Sequence, residues 1–177
     1  MFDYKTYFDR FCKEEKLDLR LSFDMPPGYE AAYGTFDAQT KTVCINAKLL
    51  EGEPDFEKAF YLFHELRHAL QYLCSWQFDD ALIRSAQYTI MYDGACYKLV
   101  NGKYLECKLE GGEEYFANIY AGQPYEVDAN NYAYERARKI FGDLEKLRKL
   151  HEFWMPRQPV SEKLYDSIFA LIDKNAK

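Results

Sequence analysis

Several things are missing from this chain, and each absence removes a class of function. Nowhere in the 177 residues do eighteen apolar positions follow one another, so no membrane-spanning helix is expected. A cationic excess is missing too. Lysine and arginine number 23 against 29 aspartates and glutamates, a net charge of −6, which argues against a general grip on nucleic acid. The five cysteines are an odd number with no C-x-x-C spacing, which excludes a disulfide framework or a structural zinc ribbon and leaves reduced thiols. Met1-Phe2-Asp3-Tyr4-Lys5 has no charged-then-apolar leader, so the expected compartment is the cytoplasm. Linkers, repeats and low-complexity segments are absent as well, and the chain reads as one domain over residues 1–177. Sixteen tyrosines raise the aromatic share to 18%; without basic partners they are expected to line a core and a groove. Histidine is scarce, with only three in the chain.

Two of those three fall in His64-Glu65-Leu66-Arg67-His68. Apolar residues Ala59, Leu62, Phe63, Leu66, Ala69, Leu70 and Leu73 recur at helical spacing around them, predicting an amphipathic helix over 55–73. Pro54 stands in its first turn, with Asp55 and Glu57 at the positive end of the dipole. Histidines four apart on a helix project from one face, one turn above the other. Two imidazoles need that geometry to occupy adjacent corners of a tetrahedral zinc site, and a glutamate beside them can take a proton from the metal's water. The plain alternative is a helix with two hydrogen-bonded histidines and a solvated glutamate.

Such a site needs a third protein ligand. The candidates are His151 and, better placed, Glu126 in Gln123-Pro124-Tyr125-Glu126-Val127-Asp128-Ala129-Asn130. Pro124 opens a helix predicted to run to Phe141, with Gly142 past its end. On it Glu126, Ala129, Asn130, Ala133, Ala137, Ile140 and Phe141 share one face. A carboxylate heading a stripe of small alanines is costly to bury without a cation, whereas a mere first-turn glutamate would only favour the helix dipole. Asp128 lies about 200° round the same helix and is expected to point away.

Taken together, H-E-x-x-H followed by a helix with E-x-x-A-N-x-[FY]-A resembles the zincin metallopeptidases that use glutamate as third ligand. Among these it is most similar to the ImmA/IrrE-type family. The resemblance covers roughly Tyr33 to Phe141, and its specificity rests on the two motifs. It implies zinc held by His64, His68 and Glu126, with Glu65 as catalytic base in the hydrolysis of a protein or peptide substrate. It also implies a small antiparallel sheet packed on the H-E-x-x-H helix, with an exposed edge strand that pairs with an extended peptide. Tyr125, Tyr132 and His151 are the candidate donors to the oxyanion.

The remaining segments predict an α+β fold. Residues 3–15 read as a helix carrying Tyr4, Tyr7, Phe8 and Phe11; Leu17, Leu19, Leu21 and Phe23 alternate as a half-buried strand. Residues 33–36 and 42–46 read as a hairpin, and 79–92 as a second helix. Asn101-Gly102 between apolar arms is a hairpin turn that sets Cys96 opposite Cys107, in a hydrogen-bonded pair unsuited to a disulfide. This hairpin reads equally as a lid near the metal or as part of the core's cover. Leu144, Leu147 and Leu150, then Leu164, Ile168, Leu171 and Ile172 behind Ser161, predict a C-terminal helical hairpin.

Two other readings differ in kind. One is a zincin fold kept as a regulatory or binding module, suggested by Arg67 three residues after His64, where the family carries a small or uncharged residue. The other is a non-peptidase zinc hydrolase with a cysteine ligand, for which Cys44 or Cys74 would serve, although Cys44 reads more simply as a small buried hydrophobe.

Overall fold

A side-chain cap sets where the first element begins. The Asp3 carboxylate accepts the Thr6 amide at 3.1 Å, opening α1 (Tyr4–Glu15), and Lys16 closes it in the left-handed conformation at φ 56°. The computed structural model describes residues 2–177 and is α+β, with seven α-helices and two three-stranded sheets among those residues. Internal contacts divide the chain, read above as one domain over 1–177, into two compact units. One is the chain up to Ser75 with Asp128–Phe153; the other is Trp76–Val127 with Trp154–Lys177.

In the first unit β1 (Arg20–Ser22), β2 (Gly34–Asp37) and β3 (Thr42–Ile45) form a sheet of order β1-β3-β2. The expected β2–β3 hairpin is present and antiparallel, with Thr35 opposite Cys44. The sheet is nonetheless mixed, because β1 runs parallel to β3, Leu21 opposite Val43. A wholly antiparallel sheet was expected. Turn residues specify a local hairpin, but which edge of β3 receives β1 is a nonlocal choice that no turn encodes. Residues 23–33 make the return, and buried Asn46 fastens them: its Nδ2 donates to the Glu30 and Ala32 carbonyls, both at 3.0 Å. As the central strand, β3 buries Val43, Cys44 and Ile45, hence its short continuous apolar run.

Helix α2 (Asp55–Leu73) packs on β2, β3 and α1. Its expected stripe from Ala59 to Leu70 is buried, and each large apolar side chain so buried contributes roughly 1.5–3 kcal/mol. Phe56, Phe60 and Tyr61 are buried too, so the helix is covered on more than the one predicted face. Helix α5 (Pro124–Phe141) has the predicted ends, and Gly142 follows at φ 85°. Ala129, Ala133 and Ala137 are fully buried, but Ile140 is exposed, so the stripe stops a turn early. Helix α6 (Glu145–Trp154) buries Leu147.

The second unit departs most from expectation. The helix read over 79–92 is only α3 (Asp80–Ser85), capped by Asp79, and Tyr88–Ile90 is a strand, β4. Its aromatic and β-branched residues suit a strand, and pairing with β5 (Ala95–Val100) buries Tyr88 and Ile90 on one side. Asn101 and Gly102, at φ 50° and 76°, turn β5 into β6 (Lys103–Lys108), as a type I′ hairpin requires. Cys96 faces Cys107 as predicted, and all five cysteines are free thiols. Helix α4 (Glu113–Ala121) was not anticipated. Ser161 caps α7 (Glu162–Asn175) as expected.

The apolar face of α7, with Tyr165, Ile168, Phe169 and Ile172, joins Tyr88, Ile90, Cys96, Phe116 and Ile119 in one core. That corrects the expected C-terminal hairpin: α7 covers the second sheet, whereas α6 through Phe153 belongs to the first unit. The helical periodicity was legible, but two amphipathic faces separated by a turn do not say which surface each one seeks. The β5–β6 hairpin is likewise built into this sheet. β5 is its central strand, and Glu106 on β6 exchanges two 3.2 Å backbone hydrogen bonds with Lys177. No helix among the described residues is long and apolar enough to cross a membrane.

Candidate metal centre

Mid-helix on α2, His64 and His68 project from successive turns, and their Nε2 atoms lie 2.9 Å apart. Two ring nitrogens so close cannot both present bare lone pairs to each other; a proton or a cation must lie between them. Four-coordinate zinc with bonds of about 2.0–2.1 Å to nitrogen sets its ligand nitrogens about 3.3 Å apart, a few tenths of an ångström wider. Glu126, in the first turn of α5, completes the group: ligand atoms of His64, His68 and Glu126 all lie within 4.8 Å of one another. It is the one such cluster of histidine, cysteine or acidic residues found among the described residues. Two imidazole nitrogens and one carboxylate are a donor set that catalytic zinc takes, with a fourth position left for water. The residues present therefore fit the metal. Burial adds to the fit, since His68 is 8% exposed and Glu126 6%, where electrostatic attraction to a cation is poorly screened.

Glu65 is buried at 6% exposure, and its position depends on a glycine. A Cβ on Gly34 would come within 2.7 Å of Glu65 Cγ and 2.9 Å of its Oε1. The carboxylate thus lies against the backbone of β2, in space that only glycine leaves open. Ring contacts flank this approach: Tyr61 stacks on Tyr33, just before β2, at 4.4 Å, and Tyr72 lies tilted against Phe36 of β2 at 6.2 Å.

Arg67 does not stand as an isolated cation. Its Nε and one terminal nitrogen donate to the two carboxylate oxygens of Asp128 at 2.7 and 2.9 Å, and its guanidinium lies 4.7 Å from the centre of the Tyr132 ring. This corrects the placement of Asp128, which was expected to point away from the metal helix. The helical wheel sets it about 200° round α5 from Glu126, and although it is a quarter exposed its carboxylate meets Arg67 of α2. What the wheel omits is the reach of an arginine, which carries its donors several bonds beyond its own helix face. Gln71 joins them, accepting at Oε1 opposite His68 Nδ1 and donating from Nε2 to Asp128, both at 2.8 Å. The role of Gln71 was missed in the sequence, though a signal existed: positions 64, 68 and 71 share one helix face, and a glutamine there is buried to 2% exposure. Gly34 gave none, because its use is visible only once Glu65 lies across it.

The other nominated residues stand outside the ligand group. His151 Nε2 is 2.9 Å from Asn131 Oδ1, its ring stacks on Tyr134 at 4.7 Å, and burial depresses its pKa. Cys44 and Cys74 are buried thiols whose pKa values burial raises, which disfavours the thiolate that zinc binds. Tyr125 is buried at 5% exposure. Burial also raises the Tyr132 phenol pKa, so Tyr132 keeps its O–H as a donor at neutral pH. No protein-family model, curated protein or solved structure matches this chain.

Proposed function

We propose that the chain is a zinc-dependent metallopeptidase of the zincin type, with His64, His68 and Glu126 as ligands and Glu65 as general base. The observation that carries the reading is the convergence of two imidazoles and one carboxylate, on two helices, with a second carboxylate, that of Glu65, held against β2. A bound zinc ion would supply Lewis acidity, bringing the pKa of its water down to about 7. Glu65 accepts the proton of the attacking water on its carboxylate and returns it to the leaving amine nitrogen. His64, His68 and Glu126 would hold the metal, and the buried setting limits access of bulk water to the proton transfer.

Peptide recognition is supported by the sheet. β2 is an edge strand, and Gly34 at its start lies against the base, so an extended peptide paired along that edge would run past Glu65. Arg67, the residue that suggested a silent binding module, is engaged in a bidentate pair with Asp128.

Incubating purified protein with a mixed peptide library, and reading the cleavage products by mass spectrometry, tests this directly. Cleavage that a chelator abolishes and added zinc restores is the expected result. Zinc bound at one per chain with no cleavage of any peptide would instead establish the binding module.

Gly34→Ala offers a second measurement. The added methyl must displace the Glu65 carboxylate, and a shift of about 1 Å in a reacting group can cost about 10²-fold in rate. Zinc content should be unchanged while kcat falls by that order. An unchanged kcat would mean that Glu65 does not work from this position.

A further inference from the structure

Gln71 and Asp128 together restrict the hydrogen-bonding state of His68. An ionised carboxylate only accepts hydrogen bonds. Asp128 receives two from Arg67, at 2.7 and 2.9 Å, and one from Gln71 at 2.8 Å. The Gln71 group facing it must therefore be the amide nitrogen, which leaves the amide oxygen facing His68 Nδ1 at 2.8 Å. A carbonyl oxygen also only accepts, so the proton of a neutral His68 ring lies on Nδ1 and its lone pair lies on Nε2. That Nε2 is the atom 2.9 Å from His64 Nε2.

We infer that Arg67, Asp128 and Gln71 form a positioning relay that sets the tautomer of His68 and thereby turns its Nε2 lone pair onto the metal position. The final step rests on the zinc reading above; the tautomer itself does not. Each member of the relay has a separate task. Arg67 occupies both carboxylate oxygens, so Asp128 cannot rotate away from Gln71. Asp128 decides which end of the Gln71 amide faces His68. Gln71 converts that orientation into a proton position. Arg67 also lies over the Tyr132 ring, as does Arg136 at 5.6 Å, so its fork is held from a second side. A ligand preset in this way loses no freedom on binding, and groups supporting a metal-bound histidine typically account for 10- to 100-fold in metal affinity.

The test reads the tautomer before any metal is added. In metal-free protein labelled with ¹⁵N at histidine, at about pH 8, where an ordinary histidine is neutral, two-bond ¹H–¹⁵N correlations distinguish a protonated ring nitrogen from a bare one. Wild-type His68 should show a protonated Nδ1 and a bare Nε2. Gln71→Leu should lose that preference, and Asp128→Asn should weaken it, since an amide no longer dictates the orientation of Gln71. Zinc affinity by chelator competition should fall about 10- to 100-fold in Gln71→Leu.

A wild-type His68 protonated at Nε2, or a Gln71→Leu protein with an unaltered His68 tautomer, would overturn the relay. The expected tautomers in a protein that binds no zinc would support the relay and overturn the metal reading instead. Because the wild-type spectrum is decisive alone, a variant that fails to fold does not remove the test.

Discussion

Glu65→Gln is expected to retain one zinc per chain and the wild-type fold while losing peptide hydrolysis by about 10²- to 10⁴-fold, the range for removing a positioned general base. The amide is nearly isosteric with the carboxylate, so the space beside Gly34 stays filled and the helix is undisturbed. What changes is basicity, since an amide oxygen does not take a proton from water at neutral pH. Zinc content by elemental analysis, together with kcat on a library-derived peptide, checks both halves. Loss of zinc in this variant would show that the Glu65 carboxylate ligates. Undiminished kcat would remove it from the mechanism altogether.

The second large effect concerns the ligands. Zinc affinity in His64→Ala, His68→Ala and Glu126→Ala should fall by more than the roughly 100-fold at which loss of a supporting group tops out. In the proposed site each variant would delete a bond to the metal itself. Asp128→Ala belongs to the lesser class, about 10- to 100-fold, because its carboxylate acts through Gln71 and Arg67. His151→Ala should change nothing, its ring being engaged with Asn131 and Tyr134. Full zinc retention in either motif-histidine variant would dismiss the site. If Asp128→Ala lost more than Glu126→Ala, the third ligand would be misassigned.

Much of the fold could be read in advance where the signal was local. Both ends of α2 and α5, the Ser161 cap and the Asn101-Gly102 turn with Cys96 opposite Cys107 are set by residues within a few positions of the feature they specify. Reading failed where competing local signals were close. The segment 86–92 continues the helical pattern of 80–85, but Tyr88-Thr89-Ile90 gains more by pairing with β5 than another helical turn would. Nothing in the α4 segment was read as a helix, because it offers no side-chain N-cap: Gly112 precedes it.

The sequence alone was sufficient to nominate the chemistry. A four-residue helical interval puts His64 and His68 on one face wherever the helix lies, and a glutamate heading an alanine stripe announces a carboxylate bound for a tight interface. Those are properties of one helix at a time. Three matters could be decided only by folding: that Glu126 comes within reach of both imidazoles, that Gly34 leaves the space Glu65 fills, and that Arg67 crosses to Asp128 and, with Gln71, presets His68. Each depends on the distance between segments remote in the chain. Such distances are set by how whole apolar faces pack, and no periodicity within a single segment carries that information.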